Sequence, residues 1–108
     1  MDSQRAHDLL DRECERIQQE LARLGEHVAD GSSELFEQER DQSLIKTLRS
    51  ELAAIERAKK RLAEGTFGIS IESGAPIPDE RLEVQPWAER TVDEQATYET
   101  ARRYAGGS

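Results

Sequence analysis

Four polar positions in the second half of the chain have the spacing of a zinc site but not its ligands. Ser70 and Ser73, within GTFGISIESG, are separated by two residues, and so are Thr91 and Glu94, within TVDE. Two such pairs are typical of a four-cysteine zinc site, in which thiolates hold the ion tetrahedrally. Neutral hydroxyls are poor zinc ligands, and one carboxylate cannot complete a structural site. The sequence therefore predicts no metal and no other cofactor at these positions.

The residues that stand at these four positions predict hydrogen bonds instead. Thr91 and Glu94 match the T-x-x-E capping box, in which each residue bonds the backbone amide of the other and a helix begins. Ser70 and Ser73 are small enough to hydrogen-bond across a turn. The alternative is that T-x-x-E occurs here by chance, because the pattern is loose. We expect apolar packing to supply most of the stability of this region, from Phe67, Ile69, Ile77, Leu82, Trp87 and Val92.

The first half of the chain predicts two long amphipathic helices that position this region. Apolar residues recur at alternating steps of four and three along the first helix, which keeps them on one seam. They are Leu10, Cys14, Ile17, Leu21, Leu24 and Val28. A second run ends at Gly65. Its apolar residues are Leu44, Ile45, Leu48, Leu52, Ile55 and Leu62.

Neither stripe can be buried by its own helix, and the connection is short, so the helices are predicted to form an antiparallel coiled-coil hairpin over residues 1–64. Its tip is predicted near residues 27–34. If the turn centres on Asp30 and Gly31, Ile17 lies opposite Leu44.

Residues 65–108 predict a small knob followed by a C-terminal helix. Residues 69–71 are expected to pair with the segment near Pro76 in a short β-ribbon. PDERLEV predicts a helical turn, and the last helix is expected from Thr91 to about Tyr104. The fold class is therefore mainly α, with a zinc-finger-like knob that lacks the metal.

Composition excludes several classes of protein. The chain has 108 residues, which suits one domain, and its formal charge of −8 disfavours general binding to nucleic acid. A single cysteine, Cys14, allows no internal disulfide and is expected to be a small buried hydrophobe. No secretory signal or membrane-spanning run is found, which favours a cytoplasmic protein. No catalytic motif is found either, so we expect no enzyme activity.

The segment EGTFGISIESGAPIPDERLEVQPWAERTVDEQ resembles the signature of the DksA/TraR family. The matching positions are Gly65, Phe67, Gly68, Gly74, Pro76, Ile77, Pro78, Arg81, Leu82, Glu83 and Pro86. The resemblance departs from the family at all four cysteine positions. It implies a bacterial transcription regulator that binds RNA polymerase, directs a coiled-coil tip through the secondary channel toward the active centre, and contacts no specific DNA sequence.

The resemblance also implies where activity lies. The family's tip carries Asp-x-x-Asp-x-Ala, and here Asp30 retains the second acidic residue, His27 replaces the first and Ser32 replaces the alanine. The alternative is that Asp30 only occupies a turn or caps the second helix. Further acidic residues follow and suit a basic channel, or form only a solvated face. They are Glu34, Glu37, Glu39 and Asp41.

Basic residues beyond the tip are candidate polymerase contacts. They are Lys46, Arg49, Arg57 and Arg81, with Lys60 and Arg61 on the same helix as the first three. Exposed charges often serve only solubility. His7 and His27 are expected to be surface residues. The alternative function is a structural or adaptor protein that uses the hairpin to form a weak homodimer or to hold another partner.

Overall fold

The structure of the protein is a computed structural model that describes residues 1–29 and 35–107, with the side chains of residues 1–26 and 39–104. Along these residues the chain forms four helices, α1 (Ser3–Ala29), α2 (Leu35–Glu64), α3 (Asp79–Val84) and α4 (Val92–Gly107). Within the same residues no regular strand occurs. The fold is therefore mainly helical, as the sequence predicted.

The two long helices form the predicted antiparallel hairpin. Asp11 of α1 lies 3.2 Å from Lys59 of α2, and the Cys14 thiol lies 3.9 Å from Glu56, so the helices run in opposite directions. Between them lies the main core. Its buried residues are Leu10, Cys14, Ile17, Leu24, Leu48, Ile55 and Ala58. Leu21, Ile45, Leu52 and Leu62 pack against it and are partly buried.

The register of the hairpin differs from the sequence prediction. Leu44 was expected opposite Ile17, but its side chain is 43% exposed, whereas Leu48 is 6% exposed. The contacts of Asp11 and Cys14 place α1 about two and a half turns further along α2 than predicted. The seam of α2 extends to Leu62, so this register buries the seam over more of its length than one centred on Asp30 and Gly31 would.

At the base of the hairpin, the start of α1 and the end of α2 both have backbone groups satisfied by recognisable caps. The Asp2 carboxylate accepts a hydrogen bond from the Arg5 amide at 2.7 Å and caps α1. At the end of α2, the Gly65 and Thr66 amides bond back to the carbonyls of Leu62 and Arg61. Gly65 has φ 81°, the left-handed conformation that this Schellman arrangement requires. The chain leaves α2 here and enters the knob, residues 65–91.

The predicted β-ribbon is reduced to one antiparallel bridge between Ile69 and Pro76. Two bonds flank it, from the Ser70 amide to the Ala75 carbonyl and from the Ile77 amide to the Gly68 carbonyl, each 2.8 Å long. Ile69 and Pro76 therefore face each other as a non-hydrogen-bonded pair, a position at which the missing amide hydrogen of Pro76 costs the bridge no bond. The helical turn predicted within PDERLEV is confirmed as α3.

The knob has a small core that is continuous with the hairpin. Ile77, Leu82 and Ala88 are buried together, and Phe67 packs against both this cluster and the hairpin core. Trp87 packs against the hairpin core, not the knob core. The prediction that Ile69 and Val92 belong to the knob core is wrong, because both side chains are exposed. Ile69 belongs to an isolated bridge rather than to a sheet, and Val92 is the first residue of α4.

Of the helices described, none combines the length and apolar character that crossing a bilayer requires.

Candidate functional site

The residues proposed for the coiled-coil tip, Asp30, Ser32 and Glu34, lie outside the described residues. The side chains of His27 and Glu37 lie outside them as well. α1 ends at Ala29 and α2 begins at Leu35, so the hairpin brings both ends of this segment to its far end. The role of these residues stays a prediction.

The acidic face predicted beside the tip is incomplete. Glu39 is exposed, as a solvated or partner-facing carboxylate requires, but Asp41 is buried. Asp41 precedes Ile45 and Leu48 by four and seven residues, so it occupies a seam position of α2. The helix period therefore accounts for a buried aspartate that a reading of charge alone assigned to the surface.

The four candidate polymerase contacts divide into two kinds. Lys46 and Arg49 are exposed on α2 and leave their charges on the hairpin surface. Arg57 is paired with Glu89 of the knob, and Arg81 donates from Nε to the Arg90 carbonyl at 3.0 Å. The last two side chains thus also hold the protein's own structure.

The first pair of former zinc positions forms a tight hydrogen-bonded turn. Ser70 is 4% exposed, and its hydroxyl oxygen accepts from the Glu72 and Ser73 amides at 3.1 and 3.3 Å. The Ser73 hydroxyl accepts from the Ala75 amide at 3.2 Å. Gly74, with φ 75°, completes the turn. Both hydroxyl oxygens therefore serve as acceptors for backbone amides that would otherwise lack partners.

The second pair of former zinc positions, Thr91 and Glu94, forms a capping box, which confirms the prediction. The Thr91 amide donates to the Glu94 carboxylate at 2.9 Å, and the Glu94 amide donates to the Thr91 hydroxyl at 3.3 Å. α4 begins at the next residue, Val92. The reciprocal bonds satisfy two amides at the start of this helix.

The Glu94 carboxylate joins the two pairs. Hydrogen bonds from the hydroxyls of Ser70 and Ser73, and from Thr91, lower the pKa of Glu94 from 4.5 to about 2. Each serine hydroxyl can accept from the backbone and still donate its own proton to the carboxylate. The four former zinc positions thus form one cluster around an anion, which we call the Glu94 cluster.

These residues do not fit a zinc ion. A structural zinc site takes thiolate or imidazole ligands, whereas the Glu94 cluster offers three hydroxyls and one carboxylate. The hydroxyls already bond backbone amides or the carboxylate. Across the side chains that the structure describes, no group of three histidines, cysteines, aspartates or glutamates lies close enough to hold a metal.

A second polar group, which the sequence did not indicate, connects the knob to the hairpin. The Glu89 carboxylate accepts two bonds from Arg57, at 3.1 and 2.9 Å, and one from Arg61 at 3.4 Å. The hydrogen bond from Arg57 is the main cause of the lowered pKa of Glu89. Two arginines one helical turn apart on α2 were a signal that an acidic partner was needed, but the sequence did not identify which carboxylate.

His7 and Cys14 have neighbours that bear on their predicted roles. His7 is exposed, as expected, but its Nδ1 lies 3.2 Å from Asp11, one turn along α1. Cys14 is buried in the hairpin core, which confirms that it packs as a small hydrophobe.

Comparisons with known proteins give two relatives from Bacillus subtilis (strain 168). General stress protein 16O is 33% identical over 92 residues, which cover 82% of this chain and 56% of that protein. Uncharacterized protein YteA is 42% identical over 69 residues, which cover 64% of this chain and 29% of that protein. The chain thus spans about half the length of the first relative and less of the second. No protein-family model matches it.

A solved structure extends the comparison to the fold. Transcription factor DksA2 from Pseudomonas aeruginosa superposes with a TM-score of 0.78 over 94% of this chain and 85% of that chain, at 24% sequence identity. Because 94% of the chain is covered, the likeness extends over most of the hairpin and most of the knob. The chain therefore has a DksA-like fold.

Proposed function

We propose that this protein is a DksA/TraR-like transcription regulator that binds bacterial RNA polymerase through its secondary channel. The tip of the hairpin, around Asp30, is directed at the polymerase active centre. The protein acts in the cytoplasm by contact alone, without catalysing a reaction, holding a cofactor or reading a DNA sequence.

One observation carries this proposal, the likeness of hairpin and knob together to the transcription factor DksA2. A helical hairpin alone is a common element, and its presence favours no single function. Here the likeness extends to the knob that follows it, whose sequence also resembles the DksA/TraR signature outside the four former cysteine positions. The likeness therefore supports a partner of the same kind.

The charge distribution supports the same partner and disfavours DNA. The formal charge of −8 opposes binding to a phosphate backbone, which needs many exposed cations. The exposed cations Lys46 and Arg49 lie on α2 with the exposed anion Glu39 closer to the tip. Such a surface suits a protein channel with charges of both signs along its length.

Binding to core RNA polymerase tests the proposal. A fluorescently labelled chain titrated with core enzyme is expected to bind saturably at micromolar or lower concentration. A double variant, Lys46→Gln with Arg49→Gln, is expected to bind more weakly. Asp8→Asn, an exposed change near the opposite end of the hairpin, serves as control. No binding at micromolar protein contradicts the proposal and leaves the adaptor as the better account.

Run-off transcription tests the role of the tip. Asp30→Asn is expected to bind polymerase as the parent does but to lose its effect on transcript yield, because the amide keeps the shape and removes the charge. Asp8→Asn is expected to retain the effect. If Asp30→Asn acts as the parent does, Asp30 is only a turn or cap residue.

A further inference from the structure

The consecutive residues 87–90 together contact the hairpin, the knob and α4. Trp87 packs against the hairpin core, and Ala88 is buried in the knob core. Arg90 donates to Glu72 in the knob turn at 2.9 Å and stacks over the ring of Tyr98 in α4, 3.8 Å from its centre. Glu89 lies between these residues. The segment is therefore the place where hairpin, knob and α4 are joined.

Glu89 holds both the knob and α2. Its backbone carbonyl accepts from the Ile71 amide at 2.9 Å, which ties it to the knob turn. Its carboxylate holds Arg57 in a two-pronged pair and also bonds Arg61. A two-pronged arginine–carboxylate pair fixes direction as well as distance, because both groups are planar.

The Glu89 carboxylate is more shielded from water than the carboxylate of Glu83, which pairs with Arg5 in another of the connections between the hairpin and the knob. The side chains of Glu89 and Arg61 are 16% and 14% exposed, whereas that of Arg57 is 54% exposed, and burial lowers the pKa of Arg61. In contrast, Arg5 of α1 and Glu83 of α3 are 47% and 43% exposed. Exposed pairs contribute little to stability, whereas removing one partner of a shielded pair leaves charge uncompensated. Without Glu89, Arg57 and Arg61 would repel each other.

We propose that Glu89 is a positioning residue that fixes the direction in which the hairpin leaves the knob and α4. Because the hairpin is long, a small change of its angle at Glu89 becomes a large displacement at its far end. Leu35, the first residue of α2, lies about 33 Å along the helix from Arg57, so a tilt of about 10° moves it about 6 Å. The functional consequence, which rests on the proposed function, is that Glu89 aims the tip inside the polymerase channel.

Distance measurements between two spin labels test the positioning role without polymerase. One label is attached through Glu39→Cys on α2 and the other through Ala96→Cys on α4, both at exposed positions. Cys14→Ala in every sample removes the native thiol. The parent is expected to give a narrow distance distribution, and Glu89→Gln one broader by about 5 Å, as the lever length predicts. Glu99→Gln, whose carboxylate bonds only Gln95 of its own helix among the described residues, is expected to stay narrow.

Two further samples separate positioning from loss of folding. Labels at Gln18→Cys on α1 and Glu39→Cys report on the hairpin itself, and their distribution is expected to be unchanged by Glu89→Gln. Arg57→Glu combined with Glu89→Arg rebuilds the pair in reverse and is expected to narrow the broad distribution of Glu89→Arg alone. An unchanged width in Glu89→Gln, broadening within the hairpin, or a double variant as broad as Glu89→Arg would overturn the proposal.

Polymerase binding by the same variants distinguishes this proposal from the proposed function. Loss of a pre-set hairpin direction is expected to weaken binding of Glu89→Gln about tenfold, because the tip must then be ordered on binding. If the parent itself does not bind, the proposed function fails and the label distances still decide the role of Glu89. If the parent and Glu89→Gln bind equally, aiming of the tip by Glu89 is contradicted.

Discussion

The Glu94 cluster has the opposite charge arrangement to a zinc centre, because its central group is an anion and not a cation. In a four-cysteine site, a cation is held by four anions. In this protein, one carboxylate is held by donors from the other three positions, the hydroxyls of Ser70 and Ser73 and the Thr91 amide. A carboxylate has about four lone-pair sites, enough to accept hydrogen bonds from all three of these positions.

Acid should therefore weaken the knob through Glu94. Its folded pKa is about 2, below the ordinary 4.5, so the charged form is stabilised in the folded state. This contribution is complete above the unfolded pKa and is lost as pH falls toward the folded one. The melting temperature of the parent is expected to fall more steeply between about pH 5 and about pH 2 than that of Glu94→Gln.

The control for this pH series is Glu99→Gln, which leaves the Glu94 cluster intact and should keep the steepness of the parent. Glu94→Gln should also melt at a lower temperature than the parent at neutral pH, where the charge contributes fully. Parallel pH profiles of the parent and Glu94→Gln would show that the carboxylate contributes no pH-dependent stability.

At the scale of elements, the register of the hairpin decides which leucines matter. Leu48→Ala removes a side chain that is 6% exposed and should cost about 2–5 kcal/mol, from lost burial and the cavity left behind. Leu44→Ala is the matched control, one turn earlier on the same helix and 43% exposed, and should cost less than half as much. Urea unfolding of both variants measures the difference. Equal losses of unfolding free energy in the two variants would contradict the register of the structure and favour the one first predicted from the sequence.

The elements themselves were predictable from the sequence, but their alignment was not. The alternating steps from Leu10 to Leu24 predicted α1, and Gly65 predicted the end of α2. Thr91 and Glu94 predicted the start of a helix, because a capping box depends on only four consecutive residues. Alignment of α1 with α2 depends on contacts between distant residues, and a periodic seam allows several alignments of similar burial.

The candidate site was predictable to the same extent. Spacing identified the four corners of the Glu94 cluster, and short-range rules predicted the bonds within each pair. The bonds between the pairs were missed, because they depend on how the turn at Ser73 faces the start of α4. The role of Glu89 was missed for a similar reason. The sequence contains many acidic residues and does not specify which of them pairs with Arg57 and Arg61.

At the scale of the whole molecule, the knob should be stable without metal. The Glu94 cluster and the core around Leu82 hold it, whereas a structural zinc ion would contribute roughly 10 kcal/mol. Elemental analysis of purified protein is expected to find no stoichiometric zinc, and a chelator should not shift the melting temperature. The matched zinc-binding control carries Ser70→Cys, Ser73→Cys, Thr91→Cys and Glu94→Cys. One zinc per parent chain would contradict the account.

The whole account depends on how the hairpin meets its partner, and site-specific photo-crosslinking to core RNA polymerase tests this most directly. A photoreactive amino acid is placed at Ser32, in the predicted tip, and a control at Thr97, which is exposed on α4 and lies outside the hairpin. Ser32 is predicted to crosslink to polymerase segments that line the secondary channel next to the active centre, and Thr97 is not. No crosslink from Ser32, or crosslinks only to outer surfaces of the polymerase, would contradict a hairpin that enters the channel tip first.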